Sequence, residues 1–168
     1  MCIRDRFITG KRFVKKGSKW TETGDLKKEG SIKNLFHNNQ KEARDFVKRM
    51  MGRIVFLYFI QKKGWLAVPN DKKWGEGNLD YLKYLFNESK YKSNFYSKEL
   101  VPLFFNTLNN EDSENIENEY RFPYLNGGLF DDSHDSIYNK LVLPETYFKK
   151  LFDTFNEYNF TIYEDAPD

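Results

Sequence analysis

The sequence predicts a mainly α fold, a helical bundle-like unit preceded by an irregular N-terminal segment with room for a short strand or two. Three observations lead there. Apolar residues recur at helical spacing over residues 39–63, and shorter stretches repeat that pattern further along the chain. Glycines at positions 10, 17, 24 and 30 break up the first 38 residues, where apolar side chains are sparse. The 168 residues carry 16 Phe, 11 Tyr and 3 Trp, enough rings to fill a sizeable core, and a 39% hydrophobic share is at the low edge of globular composition once glycine is added.

Two units follow from this, an irregular segment over residues 1–38 and a helical unit over residues 39–165. Met1-Cys-Ile-Arg-Asp-Arg6 resembles translated adapter sequence, and the chain ends at Asp165-Ala-Pro-Asp168 without a capping element, so truncation at both ends is expected. Within residues 1–38, Ile3, Phe7, Ile8, Phe13 and Val14 suit a short edge strand or two. The strongest helix runs over residues 39–63. Asn38 or Asn39 caps it, and Glu42 and Asp45 sit near its positive end. Phe46, Met50, Ile54, Leu57 and Ile60 form its stripe. After Arg53 it is apolar all round, which predicts burial. Lys62, Lys63 and Gly64 suit its C-terminus: cations at the negative end, then a residue free to turn left-handed.

A loop with Pro69, Asn70, Asp71, Gly75 and Gly77 separates this helix from a short second one carrying Leu79, Leu82, Tyr84, Leu85 and Phe86. A third helix is expected from about Phe95 to Leu108, kinked or restarted at Pro102. Residues 109–119 are an acidic, Asn-rich loop. Arg121 to Phe130 then folds around Asn126-Gly127-Gly128, whose chemistry predicts a turn with positive φ. A last helix starts at Pro144 and shows Tyr147, Phe148, Leu151, Phe152, Phe155 and Tyr158 on one face. Phe160, Ile162 and Tyr163 suit the start of a strand.

Composition excludes several classes. One cysteine, Cys2, leaves no disulfide framework and no Cys-based zinc site. His37 and His134 are too few for a histidine cluster; His134 among Asp131, Asp132 and Asp135 reads as a solvated loop. The longest apolar run, Ile54 to Ile60, is far short of the ~20 residues of a membrane span. With no signal-peptide pattern over Met1 to Arg12, a cytoplasmic location is expected.

The net charge of +2 hides an asymmetry: 17 Lys and Arg against 6 Asp and Glu up to Lys63, then 10 against 19. Lys41, Arg44, Lys48, Arg49 and Arg53 make a basic stripe on the long helix, with Lys62 and Lys63 at its end. Spaced cations on a rigid rod suit a phosphate backbone, and they equally suit the acidic remainder of the chain.

Catalytic motifs are absent. No GxxxxGK[ST] loop occurs, and Gly75-Glu-Gly77 reads as a plain loop. Asp25-Leu26-Lys27, with Asp5 upstream, has a metal-nuclease spacing in surroundings unlike a buried strand. Phe122-Pro123-Tyr124 only echoes the Asn-Pro-Pro-Tyr clamp of base-modifying enzymes and reads as packing. No catalytic, cofactor-binding or metal residue is assigned.

Four segments carry a family likeness, in order. Arg49-Met-Met-Gly-Arg-Ile-Val-Phe-Leu-Tyr-Phe-Ile-Gln-Lys-Lys-Gly-Trp65 resembles part of type IIG restriction–modification enzymes and related adenine-specific DNA methyltransferases. Phe95-Tyr-Ser-Lys-Glu-Leu-Val-Pro-Leu-Phe-Phe105, Pro123-Tyr-Leu-Asn-Gly-Gly-Leu-Phe130 and the stretch from Phe152 to Asp165 match further blocks of the same region. The likeness covers about residues 44–165 and implies a helical connector between a nuclease domain and an S-adenosylmethionine-dependent adenine-N6 methyltransferase. It implies DNA and those adjoining domains as partners, no membrane, and Mg²⁺ where nuclease activity is retained. The rival reading is a self-contained helical protein-interaction domain with no nucleic-acid role.

Overall fold

The computed structural model describes residues 11–16, 19–25, 36, 39–114, 119–125, 127–131, 138–158 and 160, with residues 11–16, 19–25 and 113–114 described by backbone alone. Two strands, β1 (Lys11–Lys16) and β2 (Lys19–Asp25), pair antiparallel from Lys16↔Lys19 to Lys11↔Asp25, with a register shift between Arg12 and Phe13. The expected edge strand is thus a hairpin, more regular than the glycine spacing suggested. Asp25 ends β2, while Asp5, Lys27, His37 and His134 lie outside the described residues.

Helix α1 (Gln40–Lys62) is the spine of the rest. Asn39 caps it: its side-chain oxygen accepts from the Glu42 amide at 3.2 Å, and its side-chain amide donates to the Glu42 carboxylate at 3.0 Å. Its C-terminus closes with two backbone bonds, Trp65 N–H to Ile60 C=O at 3.2 Å and Gly64 N–H to Gln61 C=O at 2.8 Å. Those are the two bonds of a Schellman end, and Gly64 takes the left-handed φ of +68° it requires. Glycine is needed there twice over, because a Cβ on Gly64 would sit 2.1 Å from the Gly75 carbonyl oxygen.

The loop after α1 folds back on that end. Gly75 and Gly77 donate backbone bonds to the Gly64 carbonyl at 3.2 and 2.8 Å. A Cβ on Gly77 would come within 2.4 Å of the Leu66 carbonyl oxygen. Gly75-Glu-Gly77 is therefore a packing turn. Two short strands absent from the sequence reading, β3 (Val68–Pro69) and β4 (Tyr120–Arg121), pair antiparallel and tie this loop to the later chain.

Helix α2 (Tyr81–Glu88) buries Leu82 and Phe86, while Leu79 and Tyr84 are exposed. The expected third helix forms as two π-helical stretches, Tyr96–Leu100 and Pro102–Thr107. Pro102 has no N–H to give, and the run widens around it: Val101 N–H reaches Tyr96 C=O and Leu108 N–H reaches Leu103 C=O, both five residues back. The kink expected at proline is absorbed as a change of hydrogen-bond spacing.

Helix α3 (Glu145–Phe155) follows Pro144, which stands one residue before the helix rather than in its first turn. Tyr147, Phe148, Leu151, Phe152 and Phe155 are buried, as the periodicity predicts; Tyr158 lies past the helix and is exposed. Phe95 is the hub between these elements, with ring centroids 5.1 Å from Phe86, 5.2 Å from Phe148 and 5.9 Å from Phe152. Phe36, assigned to the irregular segment, belongs to this core: it is buried and packs 5.4 Å from Phe46 and 4.8 Å from Tyr138. At the other end, Phe160 packs on Tyr58, Phe59 and Phe155. The described residues are mainly helical, and no described helix is long and apolar enough to cross a membrane.

Candidate nucleic-acid interface

The five cations expected on one basic stripe do not share one exposed face. A turn of about 100° per residue puts Lys41, Arg44 and Lys48 within an arc of about 60° on α1. All three are exposed. Lys48 stands 3.9 Å from Asp45, a surface pair one turn back that contributes little. This exposed arc is the outer face of the first half of the helix.

Arg53 is elsewhere. It lies about 120° around the helix from Lys41 and is only 2% exposed, buried against the chain's own backbone. Its Nε donates to the Leu129 carbonyl at 2.5 Å, with one terminal nitrogen 3.4 Å from the Asp131 carbonyl. Its guanidinium lies 4.8 Å from the Phe105 ring centre and 5.8 Å from that of Phe104. Three separated segments of sequence meet at this one side chain: α1, residues 104–105 and residues 129–131. Arg53 is a clamp that fastens residues 127–131 onto α1 and the π-helical run, so its place in the basic stripe is corrected. The i,i+4 spacing to Arg49 carried no sign of this, because the segment that covers Arg53 comes from 76 residues away. Arg49, between the two groups, is half-buried.

The Gln61-Lys62-Lys63-Gly64 end is likewise engaged. Gln61 is buried, and its side-chain oxygen accepts from the Leu82 amide at 3.0 Å. That satisfies a first-turn donor of α2. Asp80 makes no side-chain cap there and instead binds Lys62 at 2.8 Å. Lys63 lies 5.8 Å from the Trp65 ring centre. Each residue of this tetrapeptide therefore does a joining job at the α1–loop–α2 corner. Nearby, burial pushes the Tyr58 hydroxyl well above the ordinary tyrosine range, with Asp80 and Asp153 adding to it. Burial does the same to Tyr81, helped by Glu99 and Tyr84.

After Gly52 the outer face of α1 turns apolar. Phe56 is 38% exposed, so the second half of the helix is not buried all round. With Tyr124, Leu125, Gly127, Leu129 and Phe130 it lines a shallow groove. The 127–131 segment is anchored by Leu125 N–H to Leu108 C=O at 2.7 Å and turned by Phe130 N–H to Gly127 C=O at 3.0 Å. Asn126 lies outside the described residues. Gly128 does not take the positive φ expected of it, and among the described residues nothing lies within 4 Å of a Cβ built on Gly127 or Gly128. Phe122-Pro123-Tyr124 is half-buried packing, with Phe122 edge-on to Tyr81 at 5.4 Å. Among the described residues, no three His, Cys, Asp or Glu side chains gather to hold a metal ion.

Over 140 residues the chain is 31% identical to a protein of Methanocaldococcus jannaschii named as a "putative type II restriction enzyme and methyltransferase". The chain is related to a restriction–modification protein. The match takes in 74% of this chain and 11% of that relative, so it corresponds to a small part of a much longer polypeptide. No family model matches the chain, and no solved structure matches it.

Proposed function

We propose that this chain is the helical connector of a DNA restriction–modification protein and contacts the DNA backbone through the outer face of α1. The relation to a restriction–modification protein over 140 residues is the observation that carries this reading. The resemblance to type IIG enzymes refines it: the whole protein would methylate adenine N6 with S-adenosylmethionine and, where it carries a nuclease, cut with Mg²⁺. Neither cofactor is assigned to a residue of this chain.

Lys41, Arg44 and Lys48 are the backbone-binding residues of this reading. They project from a capped helix whose opposite face is packed, so the cations are held on a rigid rod. Arg53 is withdrawn from the set because its guanidinium is buried, and Lys62 because it is bound to Asp80. The groove beside Phe56 and Leu129 is the face assigned to an adjoining nuclease or methyltransferase domain. Gly127 and Gly128 favour that, since none of the described residues lies within 4 Å of a Cβ built on either.

Binding of the chain to a generic DNA duplex across a salt series tests the reading. Affinity should fall log-linearly with salt, and changing Lys41, Arg44 and Lys48 to Gln should flatten the slope by up to ~2.7, at ~0.9 per phosphate contact. A folded chain that binds no duplex at low salt would overturn the DNA contact and leave a spacer role.

A further inference from the structure

A second surface lies at the corner where α1 ends. Trp65 and Trp74 are each 40% exposed. They flank one backbone contact, the Gly75 N–H to Gly64 C=O bond at 3.2 Å, and so belong to one knob of structure. Each has a cation against its ring: Lys63 at 5.8 Å from Trp65 and Arg121 at 5.1 Å from Trp74. Arg121 is itself fixed by a bond to the Lys72 carbonyl and by the β3–β4 pairing. Lys72 and Lys73 are exposed on the same loop.

Two indoles 40% exposed are unusual surface residues, and each here has a cation beside its ring. Two acids of the knob have partners within the chain. Asp80 binds Lys62, and the Glu76 carboxylate accepts from the Lys73 backbone amide at 3.3 Å; among the described residues Asp71 and Glu119 are further acids of these segments. Fixed aromatic faces interleaved with cations are what an unstacked nucleic-acid strand requires: a π-surface for the base and positive charge for the phosphate.

We infer that this knob binds single-stranded nucleic acid, with bases stacked on Trp65 and Trp74 and phosphates met by Lys72, Lys73 and Arg121. The inference rests on the reading of the chain as part of a DNA-acting protein, and it adds a strand-separated ligand to the duplex contact of α1. Opened strands arise wherever a base must leave the helix to be modified.

The test is anisotropy of fluorescein-labelled oligothymidylate with the 168-residue chain, run beside the matched duplex. Trp65→Ala and Trp74→Ala should each weaken single-strand binding by about 5- to 150-fold, the range for loss of one base–aromatic stack. Trp65→Phe and Trp74→Phe should restore most of it, and these keep the comparison usable if an alanine variant fails to fold. Duplex binding should depend instead on Lys41, Arg44 and Lys48. Single-strand affinity unchanged in all four tryptophan variants would overturn the inference while leaving the duplex reading intact. A folded chain that takes up no oligothymidylate would also overturn it, and would leave the indoles to a protein neighbour. Loss of duplex binding alone would count against the α1 interface only.

Discussion

Arg53 offers the sharpest separation between a cation that binds DNA and one that holds the fold. Arg53→Met keeps most of the side-chain volume and removes the guanidinium. The charge-assisted bond to the Leu129 carbonyl, at 2.5 Å, is worth about 1.5–3 kcal/mol. The contact with the Phe105 ring at 4.8 Å adds up to about 2 kcal/mol in a desolvated setting. The 3.4 Å approach to Asp131 is too long to add much. Methionine also removes the cost of keeping a charge out of water, which offsets part of the loss. The expected net is a destabilisation of about 1–3 kcal/mol, or a Tm lowered by about 2–12 °C at 2–4 °C per kcal/mol. The same variant should leave the salt dependence of duplex binding unchanged, because a buried guanidinium releases no counterion. Thermal melts and a salt series on one preparation read both quantities. A salt slope reduced by ~0.9 with an unchanged Tm would refute the reasoning, since it would put Arg53 on a phosphate.

Three further outcomes follow from local geometry. Gly64→Ala should destabilise by about 3 kcal/mol or more, because it combines left-handed strain with a backbone clash; Gly128→Ala, with none of the described residues within 4 Å of the added Cβ, should stay within about 0.5 kcal/mol in the same urea titration. Asn39→Ala should cost about 1 kcal/mol by removing the cap of α1, seen as a shift in urea midpoint without a change in m-value. Stability should hold below pH 10 and fall as pH rises above it. Tyr58 and Tyr81 keep their protons in the folded chain past the ordinary value of 10.0, while the unfolded chain releases them, so each contributes a slope of at most about 1.4 kcal/mol per pH unit. A denaturation midpoint that stays flat or rises between pH 10 and 11.5 would refute this.

The elements that local chemistry decides were legible from sequence. Asn39, the apolar stripe from Phe46 to Ile60, and Gly64 specify α1 from cap to turn, because each signal acts within one or two turns of itself. The aromatic face of α3 was legible for the same reason. What the sequence hid depends on partners distant along the chain. Arg53 reads as one more surface cation until residues 129 and 131 fold over it. Phe36 reads as part of an irregular segment until Phe46 and Tyr138 close around it. The two-residue strands β3 and β4 are too short to leave a periodic signal, and their pairing joins Val68 to Arg121 and Pro69 to Tyr120, more than 50 positions on. Pro102 was read correctly as a disturbance, but the choice between a kink and a π-helical widening lies in how the buried Leu100, Leu103 and Phe104 are held by the core.

The charge of the first 63 residues illustrates why a basic run is not yet a binding surface. Its surplus counts Arg53 and Lys62 as if both met solvent. The fold commits the first to backbone carbonyls and aromatic rings, and the second to Asp80. These two cations hold corners: one fixes the 127–131 turn, the other fixes the start of α2. The positive potential that α1 offers outward is therefore concentrated over its first three turns, at Lys41, Arg44 and Lys48, and fades into the apolar surface that begins at Gly52 and Phe56. On the proposed reading, a polyanion and an apolar neighbour would be addressed by successive halves of one helix. Under that proposal, movement of either contact would be transmitted along a rod whose far face is packed into the core.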